Sequence, residues 1–401
     1  MQFRTDTKSG NQLSVLGFGC MRFPRNRLGA IDMQKTEWLI MEAINAGVNY
    51  FDTAYIYGGS EDALGTILEK NKARDKVYIA TKLPLVFLKG PADFEKYFTR
   101  ELERLRTDHI DYYLMHMLTD MDMWEKLKSW GIEEWIARKK ESGQIRQIGF
   151  SFHGSQDEFL RLLEVYPWEF VQIQYNYTGE NFQAGKVGFE KAAALGIPVI
   201  IMEPLLGGRL ASPPPSAAAI FKKADSNRTP ADWALRWVWD HPAVTLLLSG
   251  MNDPKQLEEN IAIANTADPE TLTSDAREVY RQVLEVFNSS YKVRCTGCNY
   301  CMPCPRNVNI PGCFAAYNTS FALGWMQGMQ QYATSATLTS AQSGSAGNCV
   351  KCGKCEQHCP QHLPIIKSLE QVQGRMEPLP VRWGIGLVRA VLGRKKAKGR
   401  D

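Results

Sequence analysis

The chain has 401 residues, 44% hydrophobic and 22% charged, with a formal net charge of +4. The length suits one large domain plus a small one, the balance is that of a soluble globular protein, and so small a charge gives no case for nucleic-acid binding. Met1-Gln2-Phe3-Arg4-Thr5-Asp6 has no signal-peptide core, and no run of about 18 apolar residues predicts a spanning helix, so a cytoplasmic location is expected.

In chain order, Phe3–Leu13 reads as a β-hairpin turning at Lys8-Ser9-Gly10-Asn11. Eight apolar runs follow: Leu16–Met21, Tyr50–Thr53, Val77–Lys82, Ile110–His116, Ile145–Ser151, Phe170–Tyr175, Pro198–Glu203 and Val244–Ser249. Continuous runs of this length suit parallel strands buried on both faces. Amphipathic helices lie between them. Glu95–Leu105 carries Phe98, Leu102 and Leu105 at helical spacing, and Ser60 is the expected N-cap of the next-earlier helix, with Glu61 and Asp62 in its first turn. Gly143 and Gly196 stand where helices should stop. Eight strand–helix units predict an α/β fold, a (β/α)8 TIM barrel with the hairpin plugging its floor.

Ser274–Phe287 reads as a helix, Phe314–Tyr332 as one helix or two, and Ala333–Asn348 as a loop. The expected domains are 1–287 (barrel), 288–375 (a small, mostly α-helical cysteine-rich domain) and 376–401 (a basic tail). Trp383–Leu392 is apolar at helical spacing and precedes Arg394-Lys395-Lys396-Ala397-Lys398. Packing onto the body of the protein is the plain reading; peripheral contact with a membrane surface is the alternative.

Nine of the ten cysteines fall between 295 and 359. One run is Cys295-x2-Cys298-x2-Cys301-x2-Cys304-Pro305, and the other is Cys349-x2-Cys352-x2-Cys355-x3-Cys359-Pro360. Disulfides would need an oxidising compartment. Zinc sites usually part their Cys-x2-Cys pairs by a longer loop. Three cysteines at every third position, then Cys-Pro, resemble the bacterial two-cluster ferredoxin run, the first copy being one residue short. That resemblance implies two [4Fe-4S] clusters in a ferredoxin-like domain. In it the fourth cysteine crosses over, so one cluster would take Cys295, Cys298, Cys301 and Cys359, and the other Cys349, Cys352, Cys355 and Cys304. Cys20 and Cys313 are read as small buried side chains.

Catalytic groups of a TIM barrel collect at the C-terminal strand ends. Here these are Asp52, Lys82 and His116, with Tyr57 in the loop after Asp52. A buried lysine needs a partner, and Asp52 can supply it. A nearby cation is expected to lower the Tyr57 pKa, making it a proton donor to a carbonyl oxygen. The stretch Gly47-Val48-Asn49-Tyr50-Phe51-Asp52-Thr53-Ala54-x2-Tyr57-Gly58-x-Ser60-Glu61-x2-Leu64-Gly65, with Ala80-Thr81-Lys82 and Tyr113-Leu114-Met115-His116, resembles the aldo-keto reductase superfamily. With the cysteine runs, it is similar to the ferredoxin-bearing branch of that family, found mostly in anaerobic prokaryotes.

The resemblance implies a catalytic tetrad of Asp52, Tyr57, Lys82 and His116, and NADP, or NAD, bound without a Rossmann motif. Ser151 and Gln172 would hold the carboxamide. Met202 stands where a stacking aromatic is common, followed by Pro204 and Leu205. Gly207 and Gly208 would let a loop approach the pyrophosphate. Ser249, Gly250, Gln256 and Asn260 would hold the adenosine end. Tight NADP binders carry Arg and Lys in place of Gln256 and Gly250, and Lys255 substitutes only in part, so NAD stays open. The expected activity is reduction of a small aldehyde or ketone, with the clusters relaying electrons or serving structure. The alternative is an electron-transfer or redox-sensing protein with the barrel as nucleotide platform and a ferredoxin-like partner.

Overall fold

The computed structural model describes residues 1–289, 291–295, 297, 300–337, 344–359 and 361–378. The 379–401 segment, and with it nearly all of the predicted basic tail, lies outside the described residues, as does Cys298. By internal contacts the chain divides into two units, Met1–Ser212 with Phe221–Arg277, and Pro213–Ile220 with the chain from Glu278 on.

In the first unit a hairpin, β1 (Phe3–Thr5) and β2 (Gln12–Ser14), precedes eight strands: β3 (Leu16–Gly19), β4 (Tyr50–Asp52), β5 (Tyr78–Leu83), β6 (Ile110–Met115), β7 (Ile145–Ser151), β8 (Phe170–Gln174), β9 (Val199–Met202) and β10 (Val244–Ser249). All eight pair in parallel and close in the order β10-β3-β4-β5-β6-β7-β8-β9. Each predicted strand is present, within one or two residues of its expected ends. The apolar runs are continuous because strand residues face either the barrel interior or the helices. Tyr50, Tyr112, Leu114, Phe170, Ile200 and Leu246 pack inside, whereas Phe51, Ile79, Tyr113, Val171 and Ile201 pack outward. The hairpin closes the floor: Leu13 joins the interior cluster, and the Tyr112 hydroxyl donates to the buried Asp6 carboxylate at 2.7 Å.

Two predicted features differ. Ser60 does not cap its helix (Ser60–Lys70); Gly59, at φ 80°, does. The Ser60 hydroxyl donates instead to Cys20 O at 2.9 Å and pairs with Thr53 at 2.8 Å, pinning the helix to the loop after β3 and the end of β4. The segment expected to be a loop begins with a π-helical turn at Ala333–Thr337. There Ser335 and Thr334 hydroxyls bond back to carbonyls of the preceding helical turn, a pattern that distorts helices.

The second unit packs helices Ile310–Ala322, Trp325–Tyr332 and Ile365–Met376 around Phe314, Tyr317, Tyr332, Leu369 and Val372. Among the described residues no helix is long and apolar enough to cross a membrane.

Gly65 sits where the helices Ser60–Lys70 and Ala92–Leu105 touch. A Cβ there would lie 2.3 Å from Arg104 O and 2.6 Å from the Leu105 carbonyl carbon, both backbone atoms that cannot turn aside. Gly65→Ala should therefore cost about 1–3 kcal/mol of stability. Thermal unfolding followed by circular dichroism should show the lowered midpoint; an unchanged midpoint would mean the helices separate freely.

Candidate active site

The site grows from the register of β4 and β5. Asp52 pairs with Ala80, so Lys82, two residues on and on the same face, projects beside it at the barrel mouth. Lys82 Nζ lies 2.7 Å from each Asp52 carboxylate oxygen and 2.7 Å from Thr53 O, so its three donors all have acceptors. The two residues are only 1% and 4% exposed. Gln172 Nε2, from β8, donates to Asp52 Oδ2 at 3.0 Å. Burial pushes the Asp52 carboxyl up, and Lys82 and Gln172 pull it back down. Removing one partner of such a pair leaves a buried charge uncompensated, at about 3–5 kcal/mol.

Tyr57 is held by two tight backbone bonds, Tyr57 N to Ala54 O and Ser60 N to Tyr57 O. Lys82 Nζ stands 5.4 Å from its ring centroid, and the His116 ring meets it edge-on at 6.1 Å. His116 is fixed by its backbone N–H donating to Leu83 O at 3.2 Å. Asp52, Tyr57, Lys82 and His116 are thus brought together, as the strand ends suggested.

The expected lowering of the Tyr57 pKa does not occur. Burial, then the negative Asp52 and Glu203, drive the phenol far above its ordinary value. The cation that should have lowered it is already engaged by Asp52. Burial, Lys82 and His153 drive the His116 imidazole well below its ordinary value. The pocket therefore presents a protonated phenol and a neutral imidazole around pH 7.

Ser151 and Gln172 stand opposite each other on β7 and β8. Ser151 Oγ accepts from Met117 N at 2.9 Å, which leaves its hydroxyl hydrogen for a ligand. Gln172 Oε1 is buried with no hydrogen-bond partner, an unsatisfied acceptor beside the Asp52–Lys82 pair. That orphan suits the amide N–H of a nicotinamide carboxamide. Phe152 is fully buried against Phe159 and takes no part. Met202 ends β9 and packs against the barrel interior; Pro204 is buried and Leu205 partly so. Gly207 and Gly208 take positive φ values of 67° and 91°.

Ser249 Oγ accepts from Asn260 Nδ2 at 2.9 Å, joining the end of β10 to the helix Pro254–Ala264. Gln256 is exposed, and its Oε1 accepts from Asn252 N. Arg22 was missed in the sequence. It donates to Gly207 O at 3.1 Å, and its side chain lies 3.6 Å from where a Gly250 Cβ would stand. A guanidinium between the Gly207 and Gly250 loops suits a pyrophosphate. The strand-end rule that singled out Asp52 and Lys82 would have found it, just past β3.

In the second unit a cavity of ≈ 180 Å³ is lined by Cys304, Cys349, Cys352 and Cys355, with Cys301 also on its wall. The first four are the crossed set inferred for one cluster. The thiols ring a space rather than meet at a point: among the described residues no three His, Cys, Asp or Glu side chains form a group able to hold a single metal ion. Four soft donors around a cavity suit a polynuclear iron–sulfur cube. Lys351 N lies 3.4 Å from Cys349 Sγ, the kind of N–H contact that holds a thiolate. Of the other set, Cys359 is buried, Cys295 and Cys301 are partly buried against the same core, and Cys298 lies outside the described residues. Cys313 is fully buried, its thiol 3.5 Å from Gly344 O, and Cys20 is buried behind Ser60.

Comparison with known proteins fits this geometry. Residues 15–272 match the Aldo/keto reductase family, and residues 294–363 match a 4Fe-4S dicluster domain. The uncharacterized oxidoreductase YrpG of Bacillus subtilis is 28% identical, over 68% of this chain and 94% of its own. Aldo-keto reductase str7 of Strobilurus tenacellus is 26% identical, over 64% of this chain and 86% of its own. Among solved structures, an aldo-keto reductase from Bacillus halodurans in its holo form superimposes with a TM-score of 0.57 at 25% identity, over 71% of this chain and 96% of that one. A parallel barrel with a buried Lys–Asp pair at its mouth, followed by a thiol-lined helical unit, makes this chain an oxidoreductase of the aldo/keto reductase family that carries a 4Fe-4S dicluster domain.

Proposed function

We propose that the chain is an NAD(P)H-dependent carbonyl reductase acting on a small aldehyde or ketone. The observation that carries this reading is the buried Lys82–Asp52 pair beside a protonated Tyr57 and a neutral His116. The nicotinamide, when bound, supplies a hydride to the carbonyl carbon. Ser151 and the unpaired Gln172 Oε1 would hold its carboxamide, and Arg22, Gly207 and Gly250 its phosphates. Tyr57 donates its phenolic proton to the carbonyl oxygen as charge develops there. Lys82, fixed by Asp52 and Thr53, stabilises the phenolate that remains until solvent returns the proton. His116, neutral, donates a hydrogen bond to the same oxygen and orients it.

In this reading the barrel occupies 1–287, the cluster domain 288–375, and the protein works in the cytoplasm. NADP is the expected nucleotide, with Arg22 and Lys255 as the cations near its phosphates. We assign two [4Fe-4S] clusters, to Cys349, Cys352, Cys355 and Cys304, and to Cys295, Cys298, Cys301 and Cys359. A second reading, electron exchange with a ferredoxin-like protein, draws on the exposure of Cys352, Tyr300 and Val350 around the thiol-lined cavity. A cluster moves one electron at a time.

With Tyr57 titrating far above neutrality and His116 well below it, kcat/KM should stay flat from about pH 6.5 to about pH 9. Tyr57→Phe should lower it by about 10²–10⁴ across that range, with NADPH affinity unchanged in a fluorescence titration. Undiminished turnover, or a break near the ordinary histidine pKa, would remove these roles. Anaerobically purified protein should contain about eight iron atoms per chain, and Cys352→Ser about four. Stoichiometric zinc in place of iron would refute the cluster assignment.

A further inference from the structure

One motif of the sequence has no part in the hydride chemistry. It is the apolar run 383–392 together with the basic Arg394-Lys395-Lys396-Ala397-Lys398-Gly399-Arg400 that follows it. Both lie outside the described residues. The described chain leads to them from the helix Ile365–Met376 of the second unit and ends at Pro378. Trp325, which opens the helix Trp325–Tyr332, donates its indole N–H to Arg375 O at 3.3 Å, in the last turn of that helix. Trp325 and Met326 are 38% and 69% exposed. The Arg375 guanidinium sits 3.9 Å from the Phe321 ring centroid and donates to the Ser320 hydroxyl at 2.7 Å. Lys292 Nζ stands 5.2 Å from the same ring.

Exposed apolar side chains are ordinary when scattered. Here an indole, a thioether and a phenyl ring meet two cations around Arg375, where the chain leads into a segment of the same make-up. An outward indole with its N–H bonded, beside cations on long apolar stems, suits the boundary between water and lipid acyl chains. Charge points the same way. From residue 290 on, the sequence holds fourteen lysines and arginines against four acids. Two of those acids are engaged: Glu370 pairs with Lys351, and the buried Glu377 accepts from Gly347 N at 3.2 Å. Two oxidised clusters with their thiolates would subtract about four charges and leave the excess positive. Packing the apolar run onto its own unit would leave five clustered cations unanswered in a region already positive. Nucleic acid would answer the cations and leave the apolar run in water. A surface that is anionic outside and apolar beneath answers both.

We propose that residues 383–400, with Trp325, Met326 and Arg375, bind the second unit to the surface of an anionic lipid membrane without crossing it. The apolar side chains enter the acyl boundary, and the cations meet lipid phosphates. Stable anchoring takes two signals, and an apolar run joined to a polybasic block supplies both. The attachment is independent of the reaction in the barrel, so neither reading depends on the other.

The test sediments the full-length, cluster-loaded protein with two kinds of vesicle, phosphatidylcholine alone and phosphatidylcholine mixed with phosphatidylglycerol. At about 0.1 M salt the parent should bind the anionic vesicles about 100-fold more tightly than the neutral ones, and about 1 M salt should erase most of that difference. A variant carrying Arg394→Gln, Lys395→Gln, Lys396→Gln, Lys398→Gln and Arg400→Gln should lose about 100-fold in affinity for the anionic vesicles, each cation being worth up to about fivefold. Trp325→Ser with Met326→Ser should lose about 10-fold on both kinds of vesicle. Iron content and circular dichroism of each variant report that its clusters and helices are intact. A parent that leaves anionic vesicles unbound, as expected if the segment packs on the protein itself, overturns the proposal. So does equal binding to the two kinds of vesicle, or binding that survives the five glutamine substitutions. Affinity unchanged by the Trp325 and Met326 substitutions removes that patch from the membrane-binding surface.

Discussion

The buried pairing of Lys82 with Asp52 is the constraint on which the rest of the site depends. Two opposite charges have been taken out of water, which is costly unless every donor and acceptor is met. Here Lys82 has three acceptors, and Asp52 accepts further from Gln172. That closed set fixes β4, β5 and β8 relative to one another at the barrel mouth. It also removes the net positive field that Tyr57 would otherwise feel. The phenol is therefore held in its protonated form by burial, and in the proposed mechanism the lysine acts on the phenolate formed during reaction rather than on the resting tyrosine. The same burial pushes the His116 and His153 imidazoles down, toward their neutral forms.

The second unit answers to different chemistry. Its helices pack against Cys295, Cys301, Cys304, Cys349, Cys355 and Cys359 and leave Cys352 exposed at the edge of a cavity walled by thiols. Hydride transfer moves two electrons together, whereas a cluster moves one. No flavin motif is recognisable in the sequence to bridge them. The reduction derived for the barrel needs no electron from the clusters, so the two units are chemically self-sufficient in this account.

Much of the fold was legible in the sequence because parallel strands covered on both faces must be apolar throughout, and Ile110–Met115 and Val244–Ser249 are buried along their whole length. Asp52, Lys82 and His116 were legible because the barrel topology gathers strand ends. What sequence could not supply was the net effect of competing fields. A lysine near Tyr57 was visible; that Asp52 neutralises it, and that burial dominates, depends on three-dimensional packing. Ser60 reads as a cap by residue type, yet a glycine able to take φ 80° precedes it and frees the hydroxyl for Thr53 and Cys20. Arg22 stands just past β3, where the strand-end rule that singled out Asp52 and Lys82 also points.

The central claim is that the barrel performs two-electron hydride transfer to a carbonyl. Label transfer tests it most directly. NADPH deuterated at the transferable C4 position would be incubated anaerobically with the cluster-loaded protein and glycolaldehyde, and the alcohol product analysed by mass spectrometry. The account predicts one deuterium on the former carbonyl carbon of each product molecule. Product without the label, or NADPH oxidised only as the clusters become reduced, would contradict it.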